Sequence, residues 1–119
     1  MEKRLQDSEL RVMNVLWREG EATAKHVAEV LGTEIGWNVN TTYTLIKRCI
    51  EKGAIARSEP NFLCRPLVQK EEVQRAEADA LLGKLFDGSA DKLFAALLNG
   101  RRLSKDEIDR LRSMIDELE

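Results

Sequence analysis

The sequence predicts a mainly α-helical chain with one small β-hairpin, and three observations support this. Apolar residues recur at helical spacing through most of the 119 residues. After Gly53 the helical period ends, and residues 54–58 and 62–65 are predicted to form two short strands on either side of a turn. Glycines at positions 20, 32 and 53 separate the first helical segments from one another and from the hairpin, because glycine commonly ends helices.

The first two helices are short and amphipathic. We expect a helix over residues 7–19, with Asp7 as its N-cap and Gly20 as its end. A second helix is expected over residues 23–31, with Gly32 stopping it. The predicted buried faces consist of Leu10, Met13, Leu16 and Trp17 in the first helix and of Ala24, Val27, Ala28 and Leu31 in the second.

The third helix, within residues 36–52 and ended by Gly53, has an unusual outward face. At helical spacing, its apolar side consists of Val39, Thr42, Leu45, Ile46, Cys49 and Ile50. Its polar side consists of Asn40, Thr41, Thr44, Lys47, Arg48 and Glu51, with Tyr43 on the margin. Short amides and hydroxyls can contact base edges in a major groove, and Lys and Arg can contact phosphates. This face therefore predicts a DNA recognition helix.

A short hairpin follows the third helix directly. Residues 54–58 and 62–65 have strand character, and Pro60 and Asn61 form the turn between them. Three helices followed by such a hairpin predict a winged helix-turn-helix DNA-binding domain over residues 1–68, with the hairpin as its wing. We expect most of the wing to cover the core, and Arg57 and Arg65 to reach phosphate.

Residues 69–119 return to helical spacing and predict a helical dimerisation domain. Ser104 and Glu107 match a capping box at the start of the last helix. About 50 residues are marginal for a self-contained core, so a second copy would bury the apolar stripes. The predicted dimer contacts are Leu93, Phe94, Leu97, Leu98, Ile108, Leu111, Ile115 and Leu118. A two-fold dimer would place two recognition helices on a palindromic site of double-stranded DNA.

Composition and charge restrict the other possibilities. The net charge is −2, with +1 over residues 1–66 and −3 over residues 67–119, which favours DNA contacts in the first half and protein contacts in the second. No run reaches the ~18 apolar residues of a membrane span, and the N-terminus lacks a secretory segment, so we expect a cytoplasmic protein. Cys49 and Cys64 are expected to be free thiols packed in the core, with a redox role as the minority alternative. No metal and no cofactor are predicted.

Two other functional classes predict different sequence features. An enzyme is disfavoured, because the lone histidine, His26, has no Ser or Cys nucleophile arranged around it and no Gly-rich phosphate loop is present. The stronger alternative is a winged-helix protein-interaction module that does not recognise DNA sequence. Such a module would expose aromatic residues or Leu on its third helix, whereas this helix exposes Asn, Thr, Lys and Arg.

Several segments together resemble the BlaI/MecI penicillinase repressor family. They are residues 10–17 (LRVMNVLW), Trp37, residues 40–48 (NTTYTLIKR), residues 65–67 (RPL) and residues 103–108 (LSKDEI), so the resemblance covers nearly the whole chain. It implies a homodimeric winged-helix repressor that binds palindromic operators in front of β-lactamase or related resistance genes. The groove-facing residues that it implies are Asn40, Thr41, Tyr43 and Thr44, with Arg48 near phosphate.

The resemblance also implies how repression ends, and this sequence departs from it. Family members that respond to β-lactams are cut between an Asn and a Phe in the dimerisation region by a membrane-sensor protease. The matching position, which is the candidate cleavage site, lies close to Ala96 and Leu97 and lacks the Asn-Phe pair. The copper-responsive branch carries C-terminal cysteines, and none follows Cys64 in this chain. We therefore expect release through a protease of different specificity or by another signal.

Overall fold

The computed structural model describes residues 4–118, and within them it contains six helices and a three-stranded sheet. In chain order the elements are α1 Asp7–Glu19, β1 Ala22–Thr23, α2 Ala24–Ile35, α3 Val39–Glu51, β2 Ile55–Ser58, β3 Leu63–Pro66, α4 Lys70–Leu85, α5 Ala90–Asn99 and α6 Lys105–Glu117. The chain divides into two compact units, the first ending at Val73 and the second beginning at Gln74, inside α4. The predicted mainly α-helical fold with a small β wing is confirmed, while the domain division between residues 68 and 69 stays a prediction.

The N-cap of α1 is Gln6 rather than the predicted Asp7. Glu9 Oε1 accepts a hydrogen bond from the Gln6 N–H group at 2.7 Å, which satisfies a backbone donor at the helix start. Asp7 and Glu9 both lie in the first turn, where carboxylates interact favourably with the helix dipole. The acidic side chains at this end therefore act from inside the helix and not as the cap.

The second helix is longer than predicted. The Thr23 hydroxyl oxygen caps it by accepting the His26 N–H at 3.1 Å, and the helix continues through Gly32 to Ile35. It ends at Gly36, whose φ of 71° lies in the left-handed region that favours glycine. A glycine inside a helix costs only about 1 kcal/mol. Packing of the extra turn against the core through Ile35 offsets that cost.

The sheet contains one strand that the sequence did not predict. Its order is β1-β3-β2, with both pairs antiparallel and with Ala22 opposite Cys64. Two residues are too few for an alternating pattern to be visible, so only pairing with the hairpin identifies β1. The hairpin is also attached to the start of α2, because the Ala24 N–H group donates to the Phe62 carbonyl oxygen at 2.9 Å.

The core of the first unit lies between α1, α2, α3 and the sheet, and it fixes which face of α3 is exposed. Its largest fully buried apolar side chains are Met13, Leu16, Leu31, Ile46 and Ile55. The α3 residues that are buried as predicted are Thr42, Leu45, Ile46 and Cys49. Val39 was predicted on this apolar side but is 57% exposed, because it is the first residue of the helix, directly after the Asn38 cap.

The helices α4, α5 and α6 contain no buried side chain among their described residues. The predicted capping box of α6 is confirmed: Ser104 Oγ accepts the Glu107 N–H at 3.1 Å, and Glu107 Oε1 accepts the Ser104 N–H at 2.9 Å. Within residues 4–118, no helix combines the length and the apolar composition that a membrane span requires.

Candidate nucleic-acid interface

The outward face of α3 carries most of the side chains predicted to contact DNA. Asn40, Thr41, Thr44, Lys47 and Arg48 are exposed, and Tyr43 is half-buried. The helix begins after Asn38, whose Oδ1 accepts the Asn40 N–H at 2.7 Å. This cap satisfies a backbone donor of the first turn, so the helix start is held without help from the Asn40 side chain.

The Thr44 hydroxyl has a defined orientation on this face. Its Oγ1 donates to the Asn40 carbonyl oxygen at 2.9 Å. With the proton directed at the backbone, the hydroxyl offers an acceptor to the outside, and the γ-methyl group offers an apolar contact. An acceptor suits the amino groups of adenine and cytosine, and a methyl group suits that of thymine.

Tyr43 connects α3 with the wing. Its ring lies edge-on to the Phe62 ring, with centroids 5.8 Å apart and an interplanar angle of 89°. This T-shaped arrangement is a favoured geometry for an aromatic pair. Phe62 has a φ of 51°, which bulky residues rarely adopt. No local pattern in the sequence marks Phe62 as a site residue, because the two rings belong to elements whose relative placement only the folded chain defines.

Arg57 and Arg65, the predicted phosphate contacts of the wing, have different surroundings. The Arg57 guanidinium carbon lies 3.6 Å from the centroid of the Phe62 ring, and Arg57 Nε donates to Glu59 Oε2 at 2.5 Å. This hydrogen bond from Arg57 is the main reason why the pKa of the Glu59 carboxyl is below its usual value. Arg65 is exposed on β3. Arg57 is thus held within the hairpin, and its role at a phosphate stays a prediction.

A shallow depression of about 380 Å³ lies beside the first turns of α3. It is lined by Ser8, Trp37, Asn40, Thr41, Thr44, Leu45 and Arg48. Ser8 of α1 and the half-buried Trp37 were not predicted as site residues. The signal that could have identified Trp37 is its place directly before the Asn38 cap, since such a residue lies beside the first turn of the helix that follows.

A partly buried ion pair joins α1 to Lys52, the residue directly after α3. Lys52 Nζ lies 2.6 Å from Glu9 Oε1, with the side chains 17% and 1% exposed, respectively, and it also donates to the Arg4 carbonyl oxygen at 2.9 Å. Burial acts to raise the pKa of the Glu9 carboxyl. The Gln6 N–H hydrogen bond and the Lys52 ammonium group outweigh burial, so the pKa lies below its usual value. The pair ties the C-terminal end of α3 to α1 and so helps to fix the direction of its exposed face.

Both cysteines are buried free thiols, as predicted. Burial, with a smaller contribution from the Glu9 carboxylate, raises the pKa of Cys49 to about 12. Burial raises the pKa of Cys64 to about 11. Thiols with such pKa values stay protonated at neutral pH, which makes them poor nucleophiles. The two side chains therefore act as part of the core.

The residues predicted at a dimer contact are exposed or half-buried in the single chain. Phe94, Leu98, Ile115 and Leu118 are exposed, and Leu93, Leu97, Ile108 and Leu111 are half-buried. Met114 of α6 is also exposed and was not named from the sequence. At the candidate cleavage site, Ala96 is exposed and Leu97 half-buried inside α5.

Comparison with known proteins gives one family over nearly the whole chain. The family model described as penicillinase repressor matches residues 5–117. The methicillin resistance regulatory proteins MecI of Mammaliicoccus sciuri and of Staphylococcus aureus strain N315 are each 28% identical to this chain over 115 residues, covering 95% of it and 94% of the relative. The penicillinase repressor of Bacillus licheniformis is 24% identical over 115 residues, covering 95% and 90%.

Two solved structures resemble part of the chain. The solution structure of the DNA-binding domain of the repressor BlaI gives a TM-score of 0.55 at 28% identity, covering 60% of this chain and 93% of that one. The monomeric form of Bacillus licheniformis BlaI in complex with the blaP half-operator gives a TM-score of 0.52 at 26% identity, covering 60% and 90%. These similarities confirm the winged-helix fold.

Proposed function

The chain belongs to the penicillinase repressor family, and from that premise we propose that it is a sequence-specific DNA-binding transcriptional repressor, acting as a homodimer on palindromic operators. Relatives named as a methicillin resistance regulatory protein and as a penicillinase repressor support control of an antibiotic-resistance gene. A relative in complex with a half-operator supports double-stranded DNA as the partner.

The observation that carries the proposal is the exposed face of α3. One side of this helix is fixed in the core, and the other presents short polar groups with cations behind them. A cation-only face would give affinity without discrimination, whereas amides and hydroxyls can match base edges. The proposed base contacts are Asn40, Thr41, Tyr43 and Thr44. The proposed phosphate contacts are Lys47, Arg48 and Arg65, with Arg57 as a further candidate.

Selection of bound sequences from a random pool of duplex DNA tests this function. A repressor of this kind should converge on one sequence with two inverted halves, and the spacing of the halves should match a two-fold dimer. Binding to that sequence should weaken with salt, with a log–log slope set by the number of phosphates contacted. A pool that does not converge would contradict sequence-specific binding and support the protein-interaction alternative.

The homodimer is supported by apolar surface on α4, α5 and α6. Leu85, Leu98, Met114, Ile115 and Leu118 are all more than half exposed in the single chain. Water contact with that much apolar area is unfavourable, and a second copy of the same surface would remove it. Joining two DNA-binding heads in this way makes contact with the second half-site effectively intramolecular, which raises affinity for a palindrome.

Release from DNA is proposed to follow loss of that dimer. A cut between Ala96 and Leu97 would divide α5 and separate residues that we place at the dimer contact. The mass of the protein recovered from β-lactam-treated cells decides whether this occurs. A fragment ending near Ala96 would support proteolytic release by a membrane-sensor protease. An intact chain in cells whose promoters are derepressed would exclude proteolysis and leave another signal.

A further inference from the structure

We propose that Phe62 is a specificity-determining positioning residue, which holds Tyr43 of α3 against the wing so that the Tyr43 hydroxyl group meets the DNA in one fixed orientation. The inference rests on the proposed function, since it concerns how the same face discriminates between sequences. Phe62 itself need not contact DNA. It acts through the side chain that its ring touches.

The contacts of Phe62 hold it from several directions. On one side, its ring meets the Tyr43 ring edge-on at 5.8 Å, and on another the Arg57 guanidinium lies 3.6 Å from its centroid. The Phe62 carbonyl oxygen accepts the Ala24 N–H at 2.9 Å, and the Phe62 N–H donates to Glu59 Oε1 at 3.4 Å. Backbone and ring are therefore both fixed, although the side chain is only half-buried.

The Arg57–Glu59 pair completes this arrangement. Glu59 receives Arg57 Nε through one carboxylate oxygen and the Phe62 N–H through the other. A guanidinium group held in this way stays over the Phe62 ring, where the cation is attracted by the ring electrons. Phe62 also keeps its ring in place despite a φ of 51°, an uncommon conformation for a bulky residue. Strain of this kind persists only where surrounding contacts enforce it, and it is concentrated at functional sites.

Fixing Tyr43 matters because of what its side chain can do. A phenol group has a single hydrogen-bonding hydroxyl, so it discriminates between bases only if its direction is defined before binding. A ring that rotates freely would lose entropy on binding and would accept several partners. With Phe62 in place, α3 and the wing present one shared surface to the groove.

The first measurement needs no DNA. Tyr43 is the only tyrosine in the sequence, so selective labelling gives one set of ring signals in the NMR spectrum. The Phe62 ring should shift these signals, and Phe62→Leu should abolish the shift. A φ of 51° is about as unfavourable for Leu as for Phe. The substitution therefore removes the ring and leaves the backbone strain unchanged. Tyr43 signals that are identical in wild type and Phe62→Leu would overturn the inference.

The second measurement compares binding to the selected operator with binding to random DNA. Phe62→Leu should weaken operator binding by roughly three- to tenfold, as expected for loss of one aromatic pair, and leave random DNA binding unchanged. Tyr43→Phe keeps the ring contact but lacks the hydroxyl. The operator position at which Phe62→Leu loses its base preference should therefore lose it in Tyr43→Phe as well. In the double variant, the two losses should not multiply, because both act through one hydroxyl group.

The outcomes separate this inference from the function on which it rests. A wild-type protein that selects no sequence contradicts both. A wild-type protein that selects an operator, together with a Phe62→Leu variant of unchanged preference, contradicts only the role of Phe62. Equal losses on operator and random DNA would assign Phe62 a purely structural role, and recovery of the preference in Phe62→Tyr would support positioning.

Discussion

Glu9 is a carboxylate on the buried face of α1, at helical spacing from Val12, Met13 and Leu16. Removing a charge from water is unfavourable by several kcal/mol unless a partner and hydrogen bonds compensate. Lys52 and the Gln6 N–H group supply that compensation. The spacing of Glu9 within an apolar stripe was visible in the sequence. Its partner, 43 positions away, was not, because no local pattern links the two segments.

Replacement of Glu9 by Gln should therefore destabilise the first unit. Gln can still accept the Gln6 N–H, but Lys52 loses its counter-ion. We expect the free energy of unfolding to fall by roughly 2–4 kcal/mol, which is less than for a fully buried pair because Lys52 keeps some exposure. Urea unfolding measures this loss. The matched control is Glu34→Gln, which breaks the exposed Arg18–Glu34 pair and should cost about 0–1 kcal/mol. Equal effects of the two substitutions would contradict the special role of Glu9.

The same carboxyl predicts a dependence of stability on pH. Its pKa in the folded chain is lowered from the usual 4.5, so below pH 4.5 the unfolded chain binds more protons than the folded one. The stabilisation by Glu9 is then complete at neutral pH and is lost as the pH falls through the folded pKa. The difference in unfolding free energy between wild type and Glu9→Gln should therefore become smaller as the pH falls from neutral through the folded pKa of Glu9. A constant difference from pH 7 to pH 3 would show that charge on Glu9 is not its cause.

Two adjacent threonines of α3 should respond in opposite ways to substitution by Val. The Thr42 hydroxyl is fully buried and has no hydrogen-bond partner within residues 4–118, so Thr42→Val should raise the free energy of unfolding by about 1 kcal/mol. Thr41 is exposed, so Thr41→Val should leave stability nearly unchanged and weaken operator binding. Thermal unfolding and operator titration of both variants test this. No gain for Thr42→Val would mean that its hydroxyl has found a partner.

At the scale of elements, the periodic ones were predictable and the contacts between them were not. The two faces of α3 follow from spacing alone, because a helix of 13 residues samples each side several times. The extension of α2 beyond Gly32 depends on tertiary packing, and β1 is defined only by its pairing with β3. Likewise, the change of period after Gly53 and the turn at Pro60 and Asn61 predict the hairpin, whereas the Tyr43–Phe62 contact depends on how α3 and the wing pack.

The exposed face of α3 predicts two different mutational responses. Thr44→Ala removes an outward acceptor and a methyl group, so operator binding should weaken by roughly 1–3 kcal/mol while random DNA binding stays the same. Lys47→Ala removes one proposed phosphate contact, so affinity for every sequence should fall and the salt slope should decrease by about 1. Fluorescence anisotropy at several salt concentrations measures both. Exchanged responses of the two variants would mean that their roles had been assigned the wrong way round.

At the scale of the whole molecule, burial is unevenly distributed. Every buried residue of the described chain lies between Glu9 and Cys64, and α4 to α6 contribute none. Those three helices are well formed locally, as the capping box of α6 illustrates, but local capping contributes only about 1 kcal/mol. The sequence showed this shortage of core as exposed apolar stripes. It did not show which stripe residues would be half-buried within the single chain, since spacing gives the face on which a side chain lies and not its accessible area.

A charge placed on an exposed part of that stripe should separate the dimer without unfolding the single chain. Ile115 is 56% exposed, so Ile115→Asp is tolerated in a monomer but would bury an unpaired carboxylate in the proposed dimer, at a cost of several kcal/mol. Ser113→Asp, which adds the same charge on a different side of α6, is the control. Sedimentation should give monomer for Ile115→Asp and dimer for the control, and binding to a full palindrome should fall about 100-fold while half-site binding is retained. The wild-type melting temperature should rise with protein concentration, because association stabilises the folded chain by mass action. A dimeric Ile115→Asp protein with full operator affinity would place the dimer contact outside this surface.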